Sequence, residues 1–403
     1  MDALEIMSQL DHVTPFFQPI FSADEHKIIG YEVLGRFLIG NEARSLGPFF
    51  HDQEVPDEYL IEVEDLILKK ALSLYLNSGI QAKLFINRNA RLLKDDYGEH
   101  LLIILQEYEE KGLRLSDIVL EISESEYSKE LEHVLRYYKT FGIQIAIDHI
   151  GERSGDVYKY TGYAPNILKV SLQALRKNSS GQTYKDILYS ISMLARKIGA
   201  SLLFESIEME YQLQYAWKHG GRYYQGYYLQ EPCAHFLQED IQKETLKRKC
   251  QEFILHEKRS LEKVYLLAES IQTALQDVVS KYTKQAITKE QLLVEIGEKF
   301  EDMCFRIYIC DENGFELTSN YFKKEGSWIF QPEYLGKNWS WRPYFLENIL
   351  RMRKNRVGLI SDLYSDIEKG ETIRTFSYAL NEREYLFMDI SYDFLFEQDG
   401  LLY

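Results

Sequence analysis

The stretch Ile143-Gln144-Ile145-Ala146-Ile147-Asp148 is an apolar run of strand-like composition that ends in a carboxylate. The same arrangement, followed by a longer helix-like stretch, recurs through the first 230 residues. The runs of this kind are Phe16–Phe21, Ile28–Phe37, Lys83–Asn87, Ile118–Ser123, Ile143–Asp148, Ile167–Val170, Ser201–Glu205 and Tyr223–Tyr228. Amphipathic segments lie between them, at 59–78, 128–141, 184–199 and 208–219.

The continuity of the apolar runs indicates how the strands are covered. Runs without polar alternation are typical of strands that are buried on both faces, as in parallel sheets. Repeated runs of this kind with intervening helices predict a β/α (TIM-like) barrel. A doubly wound open sheet is the alternative that this pattern leaves open.

Polar residues stand at the ends of the runs. In a β/α barrel they would gather at the C-terminal mouth, where barrel enzymes place their chemistry. A partly buried cluster of carboxylates needs compensation, and hard divalent cations with oxygen ligands would supply it. Each residue alone fits an ordinary loop or helix-cap position, so the prediction depends on their acting together. The residues are Glu32, Asn87, Glu121, Asp148, Lys169 and Glu205.

The composition narrows the classes of function. The 403 residues are 45% hydrophobic and 27% charged, as in soluble globular proteins. The net charge of −16 argues against binding to nucleic-acid polymers or to anionic membranes. An anionic ligand would therefore need bound cations or a few well-placed basic residues. Neither a signal peptide nor a membrane-spanning run is present, so we expect a cytoplasmic protein.

After the barrel segment, the sequence pattern changes from alternating strands and helices to a long helical stretch. No glycine lies between Gly226 and Gly297, and apolar residues follow Leu261 at spacings of three and four, which predicts a long amphipathic helix. The apolar stripe fits either docking on a neighbouring domain or a coiled coil. Thr288 and Gln291 form a predicted capping box for the next helix. We therefore predict a barrel over 1–236, a helical linker over 237–303 and a smaller α+β domain over 304–403.

The ordered set of motifs over about residues 14–232 resembles the EAL family of cyclic di-GMP phosphodiesterases. The fold of that family is a β/α barrel with a modified first strand, in agreement with the pattern above. The matching segments are Gln18-Pro19-Ile20, Glu32-Val33-Leu34 with Arg36, Asn87, Glu121-Ile122-Ser123-Glu124, Asp148, Leu168-Lys169-Val170, Glu205-Ser206-Ile207-Glu208 and Gln225-Gly226-Tyr227.

The resemblance implies a two-metal phosphodiester hydrolase that uses Mg²⁺ or Mn²⁺ and opens the cyclic dinucleotide to linear pGpG. It implies catalytic roles for Glu32, Lys169 and Glu205. Asp148 would bridge the two metals, and residue 149 would complete the second site with Glu205. Asn87 and Glu121 would bind the first metal together with Glu32 and Asp148. Glu124 would anchor the loop after Asp148. The residues that would contact the dinucleotide are Gln18, Leu34, Arg36, Glu208 and Gln225.

Three departures from the family pattern affect the second metal. His149 replaces the second of two adjacent aspartates, Ser171 replaces the aspartate two residues after the lysine, and 150–153 do not read Phe-Gly-Thr-Gly. A neutral imidazole binds transition metals but suits Mg²⁺ poorly, and a histidine turned away from the site is the other interpretation. We therefore predict one well-formed metal site and a doubtful second one.

Two functions follow from these departures. The first is a receptor that binds cyclic di-GMP with weak or no hydrolysis, and the alternative is an active metal-dependent phosphodiesterase. A sugar hydrolase with paired carboxylates has only the acidic mouth in its favour.

The C-terminal segment weakly resembles PAS and Cache sensor domains. The resemblance rests on 338–345, 361–366 and 387–390, which are rich in aromatic residues. With Arg342 and Asp389, these aromatics would line a pocket for a small ligand of unknown identity, or they form the core of a small domain. We also predict a homodimer in which the helical linker couples the sensor to the barrel.

Overall fold

A computed structural model of the protein describes residues 3–40, 42–123, 128–150, 162–173, 181–342, 345–398 and 401–402. The chain divides into two compact units, Met1–Gln251 and Glu252–Tyr403.

The N-terminal unit is a closed β/α barrel. Within the described ranges, eight strands follow each other around it in the order β1-β9-β8-β7-β6-β5-β4-β2, and β1 pairs with β2 to close the ring. The first strand is antiparallel to both of its neighbours, and the other pairs are parallel. The strands are β1 Val13–Ser22, β2 Ile28–Ile39, β4 Lys83–Asn87, β5 Ile118–Ser123, β6 Gln144–Asp148, β7 Ile167–Ser171, β8 Ser201–Glu205 and β9 Gly221–Tyr224. The predicted barrel is confirmed, and the open sheet is excluded.

Helices surround the strands, and four of them agree with the predicted amphipathic segments to within about three residues at each end. A left-handed Gly79 ends the helix Asp57–Ser78, and the Ser128 side chain caps a later helix by accepting from the backbone N–H of Leu131. A short strand, β3 Glu42–Ser45, extends β2 as a hairpin. The helices are α1 Ala3–Ser8, α2 Gly47–His51, α3 Asp57–Ser78, α4 Ala90–Asp95, α5 Glu99–Glu109, α6 Lys129–Thr140, α7 Gly181–Ile198 and α8 Glu210–Lys218.

The strand register brings the polar strand ends to one side of the barrel. Asn87 pairs with Glu121, and Ser171 pairs with Glu205. Below this level the barrel interior is filled by apolar side chains, which include Ile20, Phe85, Val119, Ala146, Ile167 and Leu203. The apolar layer forms a closed floor, so the polar residues can meet only above it, at the mouth.

The last barrel strand differs from its prediction. The apolar run Tyr223–Tyr228 predicts a strand there, but β9 begins at Gly221 and ends at Tyr224. The chain turns at Gly226, whose φ is +153°. A Cβ at this position would lie 2.1 Å from the carbonyl oxygen of Ile207. The absence of a side chain at Gly226 therefore lets two mouth loops pack backbone against backbone.

Two helices begin the C-terminal unit. They are α9 Lys243–Thr283, which starts before the boundary between the units, and α10 Lys289–Lys299. The capping box of Thr288 and Gln291 is confirmed. The apolar stripe of α9 packs into the core of this unit, so docking rather than a coiled coil explains its buried part, which comprises Ala268, Ile271, Leu275 and Val278. Across the described residues, no helix combines the length and the apolar composition that crossing a membrane requires.

The C-terminal unit is built on an antiparallel sheet with the strand order β12-β11-β10-β16-β15-β13, and β14 pairs with β15. The strands Cys304–Asp311 and Glu384–Ile390 pair with each other at its centre, and the backbone N–H of Gly314 donates to the carbonyl of Asp311 in the turn that follows the first of them. The elements are β10 Cys304–Asp311, β11 Asn320–Lys324, β12 Ser327–Gln331, α11 Phe345–Asn355, β13 Leu359–Ile360, β14 Tyr364–Ser365, β15 Thr372–Ala379, β16 Glu384–Ile390 and α12 Tyr392–Glu397.

Candidate functional site at the barrel mouth

A buried lysine lies at the centre of the mouth. Lys169 projects from β7, and its side chain is wholly inaccessible to solvent. Carboxylates from four other strands surround its ammonium group. The distances from Lys169 Nζ are 2.9 Å to Glu121 Oε1, 3.1 Å to Glu32 Oε2, 3.5 Å to Glu205 Oε2 and 3.7 Å to Asp148 Oδ2. The predicted metal-binding carboxylates therefore form one cluster around the predicted catalytic lysine.

Two amide side chains hold Glu32 in place. Asn87, at the end of the neighbouring strand β4, donates from Nδ2 to Glu32 Oε1 at 2.9 Å. Gln225, directly after β9, donates from Nε2 to Glu32 Oε2 at 2.7 Å. Since the Asn87 amide nitrogen faces Glu32, its carbonyl oxygen remains available as a donor atom for a metal.

The mouth contains more carboxyl groups than basic groups, and burial shifts their pKa values. Burial, with the nearby Glu32, raises the pKa of Glu121 well above the ordinary value. Burial and the charge of Asp148 raise the pKa of Glu205 to about 7. Burial also opposes ionisation of Asp148, but Lys169 and His149 hold its pKa at about 2. Burial works against the charged Lys169, yet the surrounding carboxylates raise its pKa. One ammonium group does not compensate the four carboxyl groups, so the site favours a further cation.

The donor set fits divalent cations. Glu121 Oε2 is buried and has no hydrogen-bond partner within the described part of the chain, and such an atom is costly unless a cation or a donor approaches it. One ligand atom each from Asp148, His149 and Glu205 lie within 4.8 Å of one another. Oxygen donors with one imidazole are ligand types that divalent cations accept.

His149 faces the mouth. Its side chain is 48% exposed, and Nδ1 lies 3.2 Å from Asp148 Oδ2. Its backbone N–H donates to Asp148 Oδ1 at 2.7 Å, and its φ of +59° is a left-handed conformation that histidine tolerates better than most residues. The imidazole is therefore placed beside the carboxylate that the two predicted metal sites share.

The residues that are predicted to contact the dinucleotide are carried by several different strands of the barrel. Gln18 is buried on β1 opposite Glu32, and Leu34 is half-buried on β2. The guanidinium of Arg36 lies 5.8 Å from the centre of the Phe16 ring. The half-buried Glu208 and the buried Gln225 follow β8 and β9. Glu124 and most of the departing loop, 151–153, lie outside the described residues.

One positioning residue was missed by sequence reasoning. Gln212 is fully buried on α8, and its Oε1 accepts from the backbone N–H of Glu208 at 2.8 Å and of Met209 at 3.0 Å. Its Nε2 donates to the carbonyl of Leu172 at 2.9 Å. Gln212 thus fixes the turn that carries Glu208. Its place as the third residue of an amphipathic helix, where a capping side chain is expected, was the available signal.

Comparison with known proteins identifies relatives of both units. Residues 1–232 match the family described as EAL domain, and residues 236–402 match the family described as EAL-domain associated signalling protein domain. The EAL-domain containing protein YkuI of Bacillus subtilis (strain 168) is 49% identical over 406 residues, which cover 100% of both chains.

Solved structures show the same relationship. The crystal structure of Bacillus subtilis YkuI, in complex with substrate c-di-GMP and calcium, superposes with a TM-score of 0.94 at 49% identity over 100% of both chains. The EAL domain of FimX from Pseudomonas aeruginosa, bound to c-di-GMP, has a TM-score of 0.51 and 21% identity over 60% of this chain and 100% of its own. The FimX likeness supports the barrel fold alone.

Proposed function

The chain belongs to the EAL-domain family, and on that premise we propose that it is a receptor for cyclic di-GMP. It binds the dinucleotide together with a divalent cation and hydrolyses it slowly or not at all. One observation carries the proposal: the cluster of Glu32, Asn87, Glu121 and Asp148 is complete, whereas an imidazole stands at position 149.

The nature of the ligand is supported by a relative that matches over its whole length and by the charge of the mouth. YkuI, which is 49% identical over its whole length, holds c-di-GMP with calcium. An acidic protein with a net charge of −16 can hold two phosphates only where cations offset its own carboxylates. The buried Lys169, the half-buried Arg36 and a bound divalent ion would supply that positive charge.

The mouth residues have separable roles in this proposal. Bound divalent cations would polarise the phosphate and lower the pKa of a coordinated water. Glu32, Asn87, Glu121 and Asp148 would hold one ion. Lys169 has its ammonium protons directed at the carboxylates and would orient a water beside them, while Gln225 keeps Glu32 in the orientation that faces the ion.

The imidazole at position 149 is the reason for which we expect weak hydrolysis. A neutral histidine carries one negative charge less than an aspartate, and Mg²⁺ prefers oxygen ligands in near-ideal octahedral geometry. Changes beyond the direct ligands already cost about 10–100-fold in metal affinity or activity. Replacing a ligand itself should reduce turnover at least as much, while ligand binding through the first ion is affected less.

A second function has one specific observation in its favour. The convergence of Asp148, His149 and Glu205 within 4.8 Å leaves room for an ion at the second position. Mn²⁺ and Zn²⁺ accept imidazole nitrogen. An active phosphodiesterase that depends on such an ion is therefore the alternative.

A paired assay separates the two functions. The protein is incubated with cyclic di-GMP and Mg²⁺, Ca²⁺ or Mn²⁺, and both binding and release of pGpG are followed. Tight binding without product supports the receptor. Turnover in the ordinary enzymatic range of about 1–10³ s⁻¹ would overturn it. Turnover with Mn²⁺ but not Mg²⁺ would establish the alternative.

Replacing Glu32 by alanine should abolish cation-dependent binding of cyclic di-GMP. The substitution removes a carboxylate that touches Lys169, Asn87 and Gln225 at once. Glu62→Ala is the matched control, because Glu62 is exposed on α3. Isothermal titration with and without Ca²⁺ measures the effect, and an unchanged affinity in Glu32→Ala would rule out the proposed site.

Cation affinity should fall as the pH decreases below about 7. The pKa of Glu205 is raised to about 7, so at lower pH an ion must displace its proton. Between about pH 6 and pH 8 we therefore expect affinity for Mn²⁺ to rise and proton release on binding to decrease. Titration in two buffers of different ionisation enthalpy measures both quantities, and a pH-independent affinity would contradict the assignment of Glu205 as a ligand.

We also propose that binding is coupled through the helices of 237–303 to the C-terminal unit in a homodimer. Three apolar side chains of α9, Leu261, Tyr265 and Leu266, are more than half exposed in the single chain. Sedimentation analysis with and without cyclic di-GMP tests the dimer, and a monomer at all concentrations would contradict it.

A further inference from the structure

The C-terminal unit contains a cavity of about 80 Å³. A space that holds one water needs about 10–15 Å³ by this measure, so the cavity has room for a small organic molecule. Its lining includes buried charged groups and three aromatic rings, among them Arg306, Glu316, Asn320, Tyr308, Tyr334 and Trp339. All of these residues lie within Glu252–Tyr403.

Two acceptor atoms in the lining have no donor among the residues that the structure describes. Glu316 and Asn320 are 2% and 1% exposed, and neither Glu316 Oε2 nor Asn320 Oδ1 has a hydrogen-bond partner within the described part of the chain. The other carboxyl oxygen of Glu316 accepts from the indole Nε1 of Trp339, which fixes the orientation of the group. Buried acceptors without donors are costly. They indicate a ligand that carries N–H groups.

The charge of the lining indicates that these N–H groups belong to a cation. Arg306 is already engaged by three carboxylates, Asp366 at 3.0 Å, Glu368 at 3.0 Å and Asp389 at 2.9 Å. Arg306 therefore acts on Glu316 only through its charge and not through a hydrogen bond, as does Arg342, which also lines the cavity. Burial raises the pKa of Glu316 to about 7, even though the Trp339 hydrogen bond and nearby cations, Lys337 first, favour its ionised form. An ammonium group beside this carboxyl would donate to Oε2 and favour the ionised form directly.

The other walls supply one further polar contact. The aromatic rings of the lining are already engaged on one face, since Tyr308 stacks on Phe387, Lys337 Nζ lies 3.4 Å from the centre of the Tyr334 ring, and the guanidinium of Arg342 lies 4.4 Å from that of Trp339. Arg306 Nε is a buried donor without an acceptor within the described residues, so an oxygen atom on the ligand would satisfy it. We propose that this cavity binds a small molecule through a protonated primary amine that is hydrogen-bonded by Glu316 and Asn320.

The proposal is tested on the full-length protein by thermal unfolding and isothermal titration. The probes are ethylamine, ethanolamine and glycine, with tetramethylammonium as a cation without N–H groups and acetate as an anion without an amine. A saturable rise in unfolding temperature with at least one amine, and none with tetramethylammonium or acetate, is expected. Preference for glycine would identify an amino acid as the source of the amine, and preference for ethanolamine an amino alcohol. An equal effect of tetramethylammonium, or no saturable effect of any amine, would overturn the proposal.

Two variants locate the effect in the cavity. Glu316→Gln keeps the shape of the side chain but removes its charge, and it should weaken amine binding about 10–100-fold, the range of a hydrogen bond to a charged group. Asn320→Ala removes the second acceptor and should weaken binding as well. Glu382→Gln is the matched control, because Glu382 is exposed and away from the lining. Circular dichroism checks folding, and unchanged amine affinity in folded Glu316→Gln and Asn320→Ala would refute the assignment.

Discussion

Replacing Lys169 by methionine should lower the free energy of unfolding by about 3–5 kcal/mol in the absence of divalent cations, as expected when one partner of a buried ion pair is removed. Methionine fills a similar volume, so the loss is electrostatic. The lysine side chain is fully buried between Glu121, Glu32, Glu205 and Asp148. Without its ammonium group, the four carboxyl groups repel each other in a site that water reaches poorly. Denaturant titration at about pH 8 with a chelator present measures the effect.

The loss of stability in Lys169→Met should depend on pH, because one of the surrounding carboxyl groups ionises near neutral pH. Burial raises the pKa of Glu205 to about 7, above the ordinary value of about 4.3. The protonated Glu205 carboxyl therefore contributes fully to stability at a pH below the ordinary pKa, and this contribution is lost as the pH rises through about 7. The deficit of Lys169→Met should accordingly be larger at about pH 8 than at about pH 6.

A bound cation should reduce the same deficit. Saturation to 100 times the dissociation constant stabilises by about 2.7 kcal/mol, so excess Ca²⁺ should restore part of the loss. Lys69→Met on the exposed face of α3 is the control. If Lys169→Met were as stable as this control at about pH 8 without cations, the electrostatic account of the mouth would be wrong.

The barrel and the assembly of its mouth could be predicted because both follow from a local pattern. Each apolar run fixes one strand, and parallel strands bring their carboxyl ends to one rim. Asn87, Glu121 and Asp148 could therefore be expected to lie together before any distance was known. The third run shows how well this works, since the short segment Lys83–Asn87 is the strand that is observed.

The hydrogen-bond partners within the mouth could not be predicted in this way. The approach of Gln225 to Glu32 spans 193 positions in the sequence, and it depends on the turn at Gly226 that ends β9 early. An apolar composition continues through Tyr227 and Tyr228, so the run alone extends the strand too far. The backbone contact between Gly226 and Ile207 decides where it ends, and that contact is tertiary.

The C-terminal cavity shows the same limit. Arg342 and Asp389 stand out in the sequence because they lie among aromatic residues, and Arg342 does line the cavity. Asp389 instead lies behind it, where it accepts from Arg306 and Thr375. The residues with unsatisfied acceptors, Glu316 and Asn320, occupy no recognisable motif. These two residues can be recognised only in the structure, where they are buried beside a cavity with charged side chains in its lining.

Restoring an aspartate at position 149 should increase the rate of pGpG formation with Mg²⁺ by at least about tenfold, the lower end of the range that a disturbed metal environment costs. The imidazole Nδ1 already lies 3.2 Å from Asp148 Oδ2, so a carboxylate on the same backbone would reach the shared region. Aspartate also tolerates the left-handed φ of +59° at this position. The measurement is the initial rate of pGpG release at saturating cyclic di-GMP.

His149→Asn is the matched control for this substitution, because asparagine has the shape of aspartate and tolerates the same φ but adds no charge. If the missing negative charge limits hydrolysis, His149→Asp gains activity and His149→Asn does not. An equal gain in both variants would mean that the imidazole obstructs the site sterically. If neither variant gains, adding Ser171→Asp tests the second departure, since Ser171 pairs with Glu205 across β7 and β8. An inactive double variant would place the defect outside the metal ligands and would refute the proposal that a missing negative charge limits turnover.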